Sequence, residues 1–199
     1  MNKNNQISIQ YGVGDKIELP EKVAKLIHQF QQNDYLIYIV GGTSRGLLTD
    51  YPIADWDFTT KATPQEMQTM FPENHFYNNE FGTVSIVMGG TKENVFEVTT
   101  FRTEKNYQDF RRPEEVKWGE TLEEDLSRRD FTINAVALEV KCKMLNDKCK
   151  IVKIIDPYEG QKDLENQPGA AACLGGPRVG LANRRTRRIG SQARSWTPV

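Results

Sequence analysis

From Tyr38 to Thr60 the chain reads YIVGGTSRGLLTDYPIADWDFTT, a run that leaves it few ways to fold. It contains a strand, a glycine turn, a short helix and a second strand, with two aspartates two residues apart near the start of that second strand. Strand side chains alternate between faces, so the spacing predicts Asp55 and Asp57 on one side, with Trp56 and Phe58 turned into the core. Two neighbouring carboxylates repel unless a cation sits between them, and oxygen donors of this kind suit Mg²⁺. Upstream, Gly41-Gly42 opens onto the helix. Bare backbone at a helix N-terminus offers N–H groups and the positive end of the helix dipole to phosphate oxygens. Arg45, one turn in, adds a charged fork. A phosphate cradle beside metal carboxylates points to nucleotide chemistry.

The length of 199 residues allows one good core and at most a second small unit. The net charge of −1 conceals an asymmetry. Residues 168–199 hold six arginines and no acid, which leaves 20 basic and 27 acidic side chains in residues 1–167, a net of −7. The body is therefore not a general nucleic-acid magnet, and any basic face must be local. No apolar run is long enough to span a membrane, and MNKNNQISIQ lacks the apolar core of a signal peptide, so a cytoplasmic protein is expected. Cys142 and Cys149 lie symmetrically about Leu145-Asn146. They could face each other across a hairpin and form a disulfide, but a reducing cytosol favours free thiols. His28 and His75 sit in unrelated segments and read as structural.

Along the chain, residues 1–19 read as a mobile arm or a loose first strand. A helix begins at Pro20, with Val23, Leu26, Ile27 and Phe30 on one stripe, and stops at Asn33-Asp34. Leu36–Val40 reads as a buried strand, the next helix runs to about Leu48, and Asp55–Thr60 reads as a strand. Thr63-Pro64-Gln65-Glu66 is a capping box that opens a helix to about Phe71. Phe81–Met88 and Val95–Phe101 read as a meander pair. Glu97, on one face of the second run, is either a solvated edge residue or a third metal-side carboxylate. Residues 102–119, with Arg111 and Arg112, read as a long functional loop. Thr121–Glu124 is a second capping box, opening LEEDLS. RRDFTINAVALEV reads as a short helix passing into a strand, Ile151–Ile155 as the last clear strand, and Asp156–Gly160 as a turn. From about residue 168 the sequence has no period. It is either an RNA-binding basic tail or a disordered or foreign end.

The ordered set Gly41-Gly42, Arg45, Asp55-Trp56-Asp57, FGTV at 81–84, EVTTFR at 97–102, RRP at 111–113, EEDLSRRDFTINA at 123–135 and DPYEGQKDL at 156–164 carries a resemblance. Over residues 35–165 the chain resembles the head domain of bacterial-type, class II tRNA nucleotidyltransferases (CCA-adding enzymes) and the related bacterial poly(A) polymerases. The resemblance implies an α+β fold of the polymerase-β type, a small mixed sheet with helices on one side. It places the head at residues 20–167, after an N-terminal arm at 1–19 and before an unstructured basic tail at 168–199. It implies transfer of CMP or AMP from CTP or ATP onto a tRNA 3′ end, with Mg²⁺ in a two-metal arrangement. By the same resemblance Asp55 and Asp57 would hold the metal, with Glu97 as the third catalytic carboxylate. Gly41, Gly42, Arg45, Arg128, Arg129 and Asn134 would bind the nucleotide, and Asp130 would orient the arginines. Taken singly these residues have plainer readings: a tight turn for the glycines, a solvated helix face for Arg128-Arg129, a turn cap for Asp55.

The chain departs from the family pattern in two places. Thr43-Ser44 stands where the family usually carries Ala-Val, and Gly46 stands where an aspartate follows the arginine. After residue 167 the family's neck, with its base-reading Glu-Asp…Arg helix, is not recognisable. The expectation is a head domain cut short, with poly(A) polymerase, or a nucleotide-binding head without efficient catalysis, as the alternative functions.

Overall fold

The apolar stripe of the first helix finds its partner in an eight-stranded sheet. The computed structural model describes residues 12–49, 52–73, 75–78, 82–89, 94–102, 118–143 and 148–166. The expected loop residues Arg111 and Arg112, the tail at 168–199 and residues 1–11 of the arm lie outside them. The strands are β1 (Lys16–Glu18), β2 (Ile37–Ile39), β3 (Asp57–Thr60), β4 (His75–Asn78), β5 (Thr83–Val87), β6 (Val95–Thr100), β7 (Ala137–Cys142) and β8 (Lys148–Ile155). Their spatial order is β1-β8-β7-β2-β3-β6-β5-β4. Every neighbouring pair is antiparallel except β3 with β6, which run parallel in the middle of the sheet.

The helices are α1 (Glu21–Gln32), α2 (Gly41–Thr49), α3 (Pro64–Met70), α4 (Leu122–Ser127) and α5 (Gly160–Asn166), with a 3-10 turn at Thr132–Asn134. Val23, Leu26, Ile27 and Phe30 of α1 are buried against Ile37, Ile39, Phe58, Val98, Leu138 and Val140 of the sheet, joined by Met67 of α3. Opposite-facing sheet positions such as Tyr38 and Ala137 join Leu122 and Leu126 of α4 in a second, smaller cluster. The two clusters use the period-2 alternation of the strands, and the second sets α4 beside the parallel pair.

Local chemistry fixes the helix ends. Thr63 and Glu66 form the reciprocal capping box, with the Thr63 hydroxyl accepting from the Glu66 amide and the Glu66 carboxylate accepting from the Thr63 amide. At the second expected box only half forms. Thr121 accepts from the Glu124 amide, while the Glu124 carboxylate takes the Glu120 amide instead. The expected turn at Asp156–Gly160 continues into α5, whose first amides, Gly160 and Gln161, donate to the Asp156 carboxylate. Gly160 has to be glycine: a Cβ there would lie 2.3 Å from the Thr132 carbonyl oxygen. That close approach docks α5 onto the 3-10 turn, where Thr132 donates to Asp163 at 2.6 Å.

Three expectations change. Lys16–Glu18, within the stretch read as an arm or a loose first strand, form an edge strand on β8. The strand expected from Asp55 begins at Asp57, with Asp55 in the bend before it. Cys142 and Cys149 are joined as a disulfide rather than being free thiols. The β7–β8 register sets them directly opposite each other with Cα atoms 4.2 Å apart, within bridging reach.

Candidate active site

The parallel pairing of β3 and β6 sets Asp57 directly beside Glu97. Forty residues separate them in sequence, and only the crossover through α3, β4 and β5 brings them together. Asp57 is partly buried, while Glu97 and Asp55 are exposed. Burial raises the Asp57 pKa above its ordinary value; Arg129 lowers it, Glu97 and Asp55 raise it further, and Arg45 lowers it, with a net upward shift. Five of the residues singled out in the sequence thus act on one another around a single carboxylate.

The glycine turn closes one side. Gly41 has a φ of +67°, a conformation that a side chain disfavours, and a Cβ on it would stand 3.1 Å from Asp57 Oδ2 and 3.5 Å from Arg129 Nη1. Gly42 is exposed beside Arg45, whose Nη2 would lie 3.7 Å from a Cβ at that position. Arg45 Nη1 donates to Asn134 Oδ1 at 2.7 Å, linking α2 to the 3-10 turn. Burial lowers the Arg45 pKa and the nearby Asp57 carboxylate raises it.

Arg129 reaches the same space from the end of α4. Its Nη2 donates to Asp125 Oδ2 at 3.1 Å. Arg128 directs Nε and Nη2 to Asp125 Oδ1, at 3.0 and 2.8 Å. Asp125 is fully buried and also accepts from the Thr59 hydroxyl at 3.3 Å, which ties α4 to β3. The residue that orients the arginines is therefore Asp125, one helical turn upstream, and not Asp130, which is exposed at the end of the segment. Sequence reasoning missed Asp125, although its i+3 and i+4 spacing to the arginine pair was a readable signal. It also missed Thr43, whose hydroxyl donates to the Asp55 carbonyl at 2.7 Å and accepts from the Asp57 amide at 2.9 Å.

The parallel register sets two carboxylates, Asp57 and Glu97, side by side, with Asp55 in the bend before β3, an open set of oxygen donors. Among the described residues no group of three or more His, Cys, Asp or Glu side chains lies together so as to hold a metal ion. An open pair of carboxylates is compatible with Mg²⁺, which keeps several waters and shares its coordination with substrate phosphates.

The mixed sheet thus carries its carboxylates on its one parallel pair, with the glycine turn beside them. The chain belongs to the poly A polymerase head domain family, whose profile matches residues 37–168. It is 45% identical over 147 residues to a CCA-adding enzyme of Bacillus cereus (strain B4264), covering 74% of this chain and 34% of that protein. A CCA-adding enzyme of Geobacillus kaustophilus is 41% identical over 147 residues, with 74% and 33% covered. Among solved structures, the Bacillus stearothermophilus CCA-adding enzyme in complex with CTP matches with a TM-score of 0.58 and 31% identity, over 86% of this chain and 34% of that one. A tRNA nucleotidyltransferase complexed with a primer tRNA and an incoming ATP analog matches with a TM-score of 0.50 and 29% identity, over 73% and 37%. The chain spans about a third of the length of the curated relatives it matches. Among the described residues no helix is long and apolar enough to cross a membrane.

Proposed function

We propose that this chain is the catalytic head of a template-independent RNA nucleotidyltransferase that adds CMP and AMP from CTP and ATP to tRNA 3′ ends, in the cytoplasm. The observation that carries the reading is the Asp57–Glu97 pair on β3 and β6, faced by Gly41 and Arg129. Relatives described as CCA-adding enzymes, and structures of such enzymes with CTP and with primer tRNA and an ATP analog, support the choice of substrates.

Asp55 and Asp57 would hold Mg²⁺, with Glu97 as the third carboxylate. When bound, the metal supplies activation of the RNA 3′-hydroxyl and neutralisation of triphosphate charge. The amides at the start of α2 and the forks of Arg45 and Arg129 bind phosphate oxygens, because both features direct N–H donors at the same place. Asp125 holds Arg129 and Arg128 in orientation, and Asn134 fixes Arg45 and would lie near the sugar of a bound nucleotide.

The test is incorporation of labelled CTP and ATP, with Mg²⁺, onto tRNA that ends before CCA. The parent chain is compared with the double variant Asp55→Ala/Asp57→Ala. Incorporation by the parent that falls at least about a thousandfold in the variant is the expected result. Metal-dependent nucleotide binding without incorporation would reduce the reading to a nucleotide-binding head. Neither binding nor incorporation would overturn it.

A further inference from the structure

The bend that carries Asp55 and Asp57 is held by a side chain from another element. Thr43, fully buried in the first turn of α2, donates its hydroxyl to the Asp55 carbonyl and accepts from the Asp57 amide. One hydroxyl therefore grips the backbone on both sides of Trp56. It uses its single donor and one of its acceptor lone pairs on the two residues that flank the turn. An adjoining contact has the same effect: the Val40 amide donates to the Asp57 carbonyl at 3.1 Å. Asp55 lies outside β3, so no sheet hydrogen bond fixes it, and the Thr43 contact supplies the restraint.

We propose that Thr43 is a positioning residue for the metal carboxylates, setting the separation of Asp55 and Asp57 through their main chain without touching either carboxylate. The proposal rests on the reading of Asp55 and Asp57 as metal ligands.

Three variants separate the possibilities: Thr43→Val keeps the shape and loses the hydroxyl, Thr43→Ser keeps the hydroxyl, and Thr43→Ala removes both the hydroxyl and the methyl. Two quantities are read on each, alongside the parent and Asp55→Ala/Asp57→Ala. One is hydrogen exchange of the Asp57 amide by NMR, and the other is the Kd for Mn²⁺ from water-proton relaxation. The expected result is faster Asp57 exchange and an approximately tenfold weaker Mn²⁺ Kd in the valine and alanine variants, with both restored in the serine variant. Faster exchange with an unchanged Kd would overturn the proposal, because Thr43 would then serve the fold and not the metal. Unchanged exchange in a folded valine variant would overturn it at the geometric step. If valine does not fold, the serine–alanine comparison gives the same reading. A parent that binds Mn²⁺ no better than the double aspartate variant would overturn the metal site itself, which the exchange data alone would not do.

Discussion

Asp57 is the side chain with the most conflicting surroundings. Burial pushes its carboxyl up, and the nearby Glu97 and Asp55 add to the push, against Arg129 and Arg45. A carboxyl whose folded-state pKa exceeds its unfolded value binds more protons when folded. Its contribution to stability therefore falls as pH rises from the ordinary value of 3.8 through the raised one, and the penalty is fully present above that raised value. Asp57→Asn should raise the Tm of the metal-free protein at pH 7 and erase metal binding, which thermal scans with and without Mg²⁺ would check. In the parent, metal affinity should fall on acidification at a higher pH than an ordinary aspartate would allow, because protons and metal compete for one carboxylate. Asp125 poses the opposite case. It is fully buried and pairs with Arg128 and Arg129, so Asp125→Ala leaves two arginines without that carboxylate and should cost about 3 kcal/mol in urea unfolding. Nucleotide binding should weaken with it, since Arg129 loses its anchor.

At the scale of elements, caps and dockings make separate contributions. Thr63→Ala removes the reciprocal box at α3 and should destabilise by about 1 kcal/mol, read as a shifted urea midpoint at constant slope. This box was legible in the sequence because both partners lie within four residues. The stripe of α1 was legible for the same reason: Val23, Leu26, Ile27 and Phe30 repeat at the helical period and all are buried. The half-formed box at Thr121 was not, because the Glu124 carboxylate had a second amide within reach at Glu120. The edge strand β1 was read only as one of two options, since three residues show no period, and β4 was not anticipated. The turn at Asp156–Gly160 was legible but α5 beyond it was not, because its docking depends on Gly160 meeting Thr132, a contact between residues 28 positions apart. The same limit governed the site. Motif order drew attention to Asp57 and Glu97, but the register that sets them side by side belongs to a long-range strand pair. Thr43 acts through tertiary hydrogen bonds that no local pattern announces, whereas the i+3 and i+4 pairs of Asp125 were readable and only its bond to Thr59 was not.

For the whole molecule, Asp57 and Glu97 lie on the parallel pair β3 and β6, with Asp55 just before β3, so an ion held there as proposed would stabilise the folded sheet. Mg²⁺ at a hundred times its Kd should add about 2.7 kcal/mol to the unfolding free energy, and Asp55→Ala/Asp57→Ala should remove that gain. β6 also has to slide between β3 and β5, although it follows β5 in the chain. As the polypeptide leaves the ribosome, the outer edge of β3 therefore waits unfilled until residues 95–100 emerge. A sheet that closed early, with β5 laid against β3, would set no acid beside Asp57, because Thr83–Val87 contains none. On the proposed reading of Asp57 and Glu97 as metal ligands, metal affinity should report on correct strand order, because a mis-threaded molecule would lack the paired acids.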